Sequence, residues 1–252
     1  MVARARLVSY ADDLLQVGRF QDYCPNGLQV EGRPEIRTLV TGVTACQSLI
    51  DAAIEAGADA LLVHHGYFWR GENPVVSGMK RRRLQALLAA DLNLIAYHLP
   101  LDAHPIYGNN AGLAAELGFT DQGGFGPGPD SGIARHGVLP EPLEPDAFAR
   151  LLSERLGREP LQVAGGCERI HRIGWCTGAA QGYLEEAAAL GLDAYVSGEI
   201  SEQTVHQARE LGIHYYAAGH HATERFGVQA LGAHLAERFG LEHRFVDVPN
   251  PV

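Results

Sequence analysis

Histidines and carboxylates recur together in this 252-residue chain, at Val63-His64-His65-Gly66, His98-Leu99-Pro100-Leu101-Asp102 and His220-His221-Ala222-Thr223-Glu224. In the last two segments a carboxylate follows a histidine by four residues. Imidazole nitrogen with carboxylate oxygen is the donor mix of first-row transition metals. Three imidazoles and two carboxylates exceed the needs of one tetrahedral catalytic zinc, which takes three protein ligands and a water. They suit two metals about 3.5–4 Å apart, with a carboxylate bridging them. Such a pair draws the pKa of water down towards neutrality, so hydrolysis is the chemistry this donor set most readily supports.

The elements around these segments explain how they could converge. Apolar runs of strand length alternate with amphipathic stretches of helical period. In the first half the pattern predicts strands at 37–44, 60–64 and 92–98, with helices at 47–56 and 82–90. In the second half it predicts strands at 171–177, 194–197 and 213–218, with helices at 183–190, 201–211 and 224–239. This alternation implies an α/β fold with largely parallel or mixed sheets. His64, His65, His98 and His220 then fall at or just past strand carboxyl ends, where such sheets gather their functional groups. Neighbours within a strand point to opposite faces, so His64 and His65 can share a site only if the strand ends there, with Gly66 releasing the backbone. Thr223 is expected as the N-cap of the last helix, with Glu224 in its first turn.

The two halves resemble each other. Ile36 matches Ile170, and Ala45, Gln47, Ala53, Gly57, Asp59 and Ala60 match identical residues at the same spacing of 134 positions. His98-x-x-x-Asp102 matches His220-x-x-x-Glu224 at the shorter spacing of 122. The difference implies an extra loop in the first half, expected at 67–80, while the breaker-rich stretch 123–132 reads as the linker between halves. Two pseudo-duplicated subdomains are therefore expected, at 1–124 and 125–252, with the last helix free to pack back on the first.

Composition narrows the function. Apolar residues make up 46% and charged residues 20%, as in an ordinary globular protein, and the net charge of −10 opposes a phosphate-neutralising nucleic-acid surface. The basic cluster Lys80-Arg81-Arg82-Arg83 reads as the solvated opening of a helix rather than an anion site. No apolar run reaches the roughly 18–20 residues of a membrane span, and no signal-type stretch follows Met1, so a cytoplasmic protein is expected. Cys24, Cys46, Cys167 and Cys176 form no C-x-x-C pair, which suggests neither a zinc knuckle nor a redox dithiol. His104, His136, His171, His206, His214, His234 and His243 are expected to be structural.

Four motifs in order, Cys24-Pro-Asn-Gly-Leu-Gln-Val30, His64-His65-Gly-Tyr-Phe-Trp-Arg-Gly71, His98-Leu-Pro-Leu-Asp102 with Gly108-Asn-Asn110, and Gly219-His-His-Ala-Thr-Glu224, closely resemble the GTP cyclohydrolase I type 2 homologue family. Its members are also called Nif-three-like dinuclear metal-centre proteins. The resemblance runs from Tyr10 to about Phe239 and is to the short bacterial form, without the middle domain of longer members. It implies two interlinked α/β subdomains, a toroidal homohexamer, and a metal site between the subdomains that faces an inner cavity. Carried over by motif position, the ligands of two divalent ions (Fe, Zn, Mn, Co or Ni) are His64, His65, Asp102, His220 and Glu224, with Glu224 bridging. His98 becomes a supporting residue, and His221 stands where the family often has an aromatic. Glu199, at the repeat position of His65, either faces the cavity or serves as a helix N-terminal carboxylate.

By resemblance the activity is hydrolysis of a nucleotide or phosphoester, such as opening the purine ring of GTP, with Arg70 or Lys80 to Arg83 holding phosphates. No catalytic residue beyond the metal ligands is assigned, and no glycine-rich phosphate loop is present. The alternative is a non-catalytic metal-binding or regulatory scaffold that forms a ring.

Overall fold

The computed structural model describes residues 1–126 and 132–252. The chain divides into two compact units, Met1–Gly108 with Gly227–Val248, and Asn109–Phe226 with Pro249–Val252. The first crossing therefore comes earlier than the boundary at 124/125 read from the sequence. The reason is packing: Leu113, Leu117 and Phe119 are buried in one cluster with Phe148 and Trp175 of the second unit.

In the first unit the strands Glu242–Phe245, Thr38–Thr44, Ala60–His65 and Asn93–Ala96 lie parallel in that order, and Gly27–Val30 adds antiparallel to the last. Both faces of this sheet are covered, as expected of near-continuous apolar strands. Leu39, Val43, Leu62 and Ile95 face one core, where the closing helix Arg225–Phe239 contributes Val228, Leu231 and Leu235. Val40, Leu61, Val63 and Leu94 alternate to the other side and meet Leu49, Ile50 and Ala53 of the helix Gln47–Glu55.

In the second unit the strand order is Thr120–Phe125, Ala134–Leu143, Ile170–Cys176, Ala194–Ser197, His214–Ala217 and Leu161–Val163. The middle pairings are parallel and the outer ones antiparallel. Trp175 anchors the core, its ring 5.3 Å from Phe119 and its indole N–H donated to the carbonyl of Asn110 at 3.1 Å. Of the expected linker at 123–132, residues 127–131 lie outside the described residues. Gly123 and Gly124 are in a strand that pairs with Ala134–Leu143, so both flanks of that stretch belong to one sheet of the second unit rather than to an interdomain connection.

The duplication reappears in the hydrogen bonds. Asp59 Oδ2 accepts the N–H groups of Arg37 and Thr38 at 2.9 and 3.0 Å. Asp193 Oδ2, at the repeat position, accepts those of His171 and Arg172 at 2.9 and 2.7 Å. The carbonyl of each aspartate then accepts the N–H of the residue opening the next strand, Asn93 or His214. The predicted strands lie within two residues of those observed. The helix Gly78–Ala89 starts four residues before expectation, so the basic cluster sits inside it rather than at its opening. Sequence reasoning did not find the antiparallel strands or Glu242–Phe245, which are short or carry polar and breaker residues. Among the described residues no helix is long and apolar enough to cross a membrane.

Candidate metal centre

In the first unit the donors cluster at the end of the strand Ala60–His65. That strand continues through His65, one residue further than expected, and the two histidines still come close, with ring centroids 4.6 Å apart. Each is tied to a different neighbouring strand or its continuation. His64 Nδ1 lies 2.9 Å from the Tyr97 carbonyl oxygen, and His65 Nδ1 lies 3.1 Å from the Thr44 hydroxyl. Gly66 lets the backbone leave the strand here, because a Cβ at this position would strike the Ala96 Cβ at 2.7 Å and the Gln29 carboxamide.

A carbonyl only accepts, so Nδ1 of His64 carries the hydrogen and Nε2 presents its lone pair when the ring is neutral. That Nε2 lies 3.4 Å from Oδ1 of Asp102, on the short helix Leu99–Ala103, and both side chains are buried. Two electron-pair donors facing each other out of water form an arrangement that a cation stabilises. Tying the distal nitrogen of a ligating histidine to a carbonyl or carboxylate is the usual way to fix its tautomer and orientation.

His98 joins this cluster, its donor atom within 4.8 Å of those of His64 and His65. Its ring is held by Asp22, whose Oδ1 lies 2.7 Å from His98 Nδ1. The other Asp22 oxygen accepts the N–H of Leu99 at 3.0 Å and the Asn26 amide at 2.8 Å, while Asn26 Oδ1 accepts the His98 N–H at 2.7 Å. Burial alone would raise the Asp22 pKa; the hydrogen bond and charge of His98, with the Asn26 and Tyr23 donors, instead bring it down to about 2. Sequence reasoning assigned no role to Asp22 or Asn26. Their four-residue spacing beside Pro25 and Gly27 was the available signal, and alone it reads as a turn. Cys24 is near the same group, but burial and the Asp22 charge push its thiol up to about 12, so it stays protonated near neutral pH.

The second unit gathers His220 and Glu224. His220 opens the short helix His220–Thr223, and its Nε2 lies 3.0 Å from Glu224 Oε2. Its Nδ1 is 2.6 Å from Oε1 of Glu199, so Glu199 orients the ring rather than capping a helix. Burial opposes a charge on His220, but the hydrogen bonds and charges of Glu224 and then Glu199 outweigh it and raise its pKa to about 9. The ring therefore keeps a proton between two carboxylates in the neutral range, and a cation entering between His220 and Glu224 would replace it.

Thr223 is not an N-cap as expected. It closes the short helix, with its hydroxyl 2.8 and 3.0 Å from the Gly219 and His220 carbonyls, and accepts the Gly178 N–H at 3.1 Å. Glu224 falls between the two helices, since the next begins at Arg225. Gly178 has φ +71°, and a Cβ there would run into the Glu224 carboxylate and sit 3.2 Å from His220 Nε2. The glycine leaves the room in which Glu224 lies.

The fold and these clusters define a class, a duplicated α/β protein in which each unit turns an oriented histidine on a carboxylate. Residues 2–251 match the model of the Duf34/NIF3 (NGG1p interacting factor 3) family, and the chain belongs to that family. It is 60% identical over 250 residues to a Pseudomonas aeruginosa protein named GTP cyclohydrolase 1 type 2 homolog, covering 99% of each. An Escherichia coli K12 protein of the same name is 52% identical over 241 residues, covering 95% of this chain and 96% of the relative. Among solved structures, one described as protein ybgI, unknown function, superposes with a TM-score of 0.96 at 50% identity, covering 100% of both chains. TTHA1606 from Thermus thermophilus superposes at 0.91 with 37% identity, again over 100% of both.

Proposed function

We propose that His64, His65, Asp102, His220 and Glu224 together hold two divalent metal ions, and that the chain is a cytoplasmic metal-dependent hydrolase of a nucleotide or phosphoester. One observation carries the reading. In each unit a histidine with Nδ1 tied to an oxygen turns Nε2 on a carboxylate, at 3.4 Å for His64 and Asp102 and 3.0 Å for His220 and Glu224. Neither pair makes a full coordination shell alone, and pooled with His65 the donors match the count for two ions. The name shared by the relatives supports hydrolysis of a nucleotide.

When bound, the two ions supply Lewis acidity and a water of lowered pKa. The chain's own residues do the rest. Tyr97 and Glu199 fix two ligand rings, and Glu224 is the bridging candidate. Asp22 holds His98 through Nδ1, which leaves Nε2 of His98 as the nitrogen for moving a proton beside the donors. A homohexamer belongs to the same proposal.

The test is elemental analysis of the purified, untagged chain, followed by a hydrolysis screen of GTP, other nucleotides and phosphoesters. About two ions per chain are expected, as a two-metal site requires. Little or no metal after reconstitution with Mn, Fe and Zn would overturn the reading. Light scattering checks the hexamer.

A further inference from the structure

We infer that Tyr23, Trp69 and Arg70, in the first unit, form a recognition platform for a planar aromatic ring that carries an anionic group. The proposal deepens the hydrolase reading by naming what its ligand looks like, and it rests on that reading only for what happens after binding.

The two short segments that carry these residues are zipped together. The Arg70 N–H donates to the Tyr23 carbonyl at 2.6 Å, and the Arg70 guanidinium donates to the Asp22 carbonyl at 2.9 Å. The guanidinium carbon also lies 5.9 Å from the Tyr23 ring centroid. Arg70 is thus held by its backbone, one guanidinium nitrogen and an aromatic face, yet it is exposed and makes no ion pair with a carboxylate among the described residues. The Asp22 carboxylate is spent on His98, Asn26, Leu99 and the Tyr23 N–H. A guanidinium fixed in place with most of its five donors left over is suited to an anion.

The aromatic surface adjoins it. Tyr23 remains 56% exposed, and its ring meets His98 edge-on at 6.5 Å. Trp69 stands edge-on to His98 at 4.9 Å and lies 6.1 Å from His65, its indole N–H pinned to the Gly66 carbonyl at 3.2 Å. The preceding residue, Phe68, has φ +64°, a left-handed conformation that is strained for a bulky side chain. Strain of this kind persists only where surrounding structure enforces it and concentrates at ligand clamps. The two segments thus put two aromatic rings and one cation at the edge of the histidine cluster. Aromatic faces with an arginine are what a planar, negatively charged heterocycle stacks on. Lys80 is less suited to the anion, because Glu72 already takes it at 3.0 Å.

The test is calorimetric titration of the full chain with GMP, and with guanosine and ribose 5-phosphate as its ring-only and anion-only parts. The same titrations are run on Tyr23→Ala and Arg70→Ala, with metal content measured on each sample. GMP is expected to bind more tightly than either part. Arg70→Ala should weaken GMP but not guanosine, and Tyr23→Ala should weaken GMP and guanosine but not ribose 5-phosphate, each about fivefold or more as expected for a lost stacking or charge contact. Both residues are exposed, so the variants should fold as the parent does. The proposal is overturned if both variants bind GMP like the parent, if GMP binds no more tightly than ribose 5-phosphate, or if the substitutions change only self-association. Platform-dependent GMP binding by a chain without metal would uphold the platform and defeat the two-metal reading; two ions per chain with no such dependence would do the reverse.

Discussion

Glu199 Oε1 lies 2.6 Å from His220 Nδ1, and Glu199 stands at the repeat position of His65. One repeat therefore places a candidate ligand where the other places a carboxylate that orients a candidate ligand. Duplication has been turned to unequal use. Glu199→Gln should keep the fold and lower metal affinity by about 10- to 100-fold, the usual cost of losing an outer partner of a ligating histidine. A metal titration followed by competition with a chelator measures it; unchanged affinity would remove Glu199 from the site.

Glu224→Ala should lose most bound metal and leave the protein folded, because in the proposed centre one bridging carboxylate would serve both ions. Metal per chain is read by elemental analysis and folding by circular dichroism. A folded variant with the parent's metal content would refute the ligand assignment.

Gly178→Ala should damage the same site from behind. Its φ of +71° costs an alanine about 1–2 kcal/mol. The new methyl would also displace the Glu224 carboxylate. Chemical denaturation should show the first effect and metal titration the second. If stability drops while metal binding is untouched, Glu224 has room the structure does not indicate.

Asp59 connects acid stability to the repeat. Burial favours its neutral form, but the N–H donors of Thr38 and Arg37 and the guanidinium of Arg33 outweigh burial and hold its pKa below the ordinary value. Its folded-state pKa is thus below the unfolded value of about 3.9, so its contribution is complete above that pH and is lost as pH falls through the folded-state value. Asp59→Asn should cost about 1.5–3 kcal/mol at pH 7, the range for hydrogen bonds to a charged group. Urea denaturation of chelator-treated protein at pH 7 and pH 3 should show less acid-dependent loss in the variant than in the parent. Equal losses would mean the carboxylate is not stabilised by folding.

Much of the fold could be read from the chain because its signals are local. Runs such as Leu39-Val40 and Leu61-Leu62-Val63 are apolar on both faces, which is what a covered parallel strand requires, and each stands before a helical period. Thr120–Phe125 escaped notice because Asp121, Gln122 and two glycines give it no strand pattern; it is a strand through its pairing with Ala134–Leu143. The division at Gly108 was likewise hidden, since which core receives Leu113 and Phe119 is decided by partners far along the chain.

Residue type and spacing over a few positions were enough to reveal the α/β alternation, the duplication and the donor types at strand ends. The orientation of those donors belongs to the folded chain alone. Asp22 meets His98 across 76 residues of chain, His64 bonds the carbonyl of Tyr97 across 33, and Glu199 reaches His220 across 21. A hydrogen bond needs its atoms within about 3 Å. No local pattern encodes which loop will bring a carboxylate that close to a ring nitrogen; packing of the whole unit does.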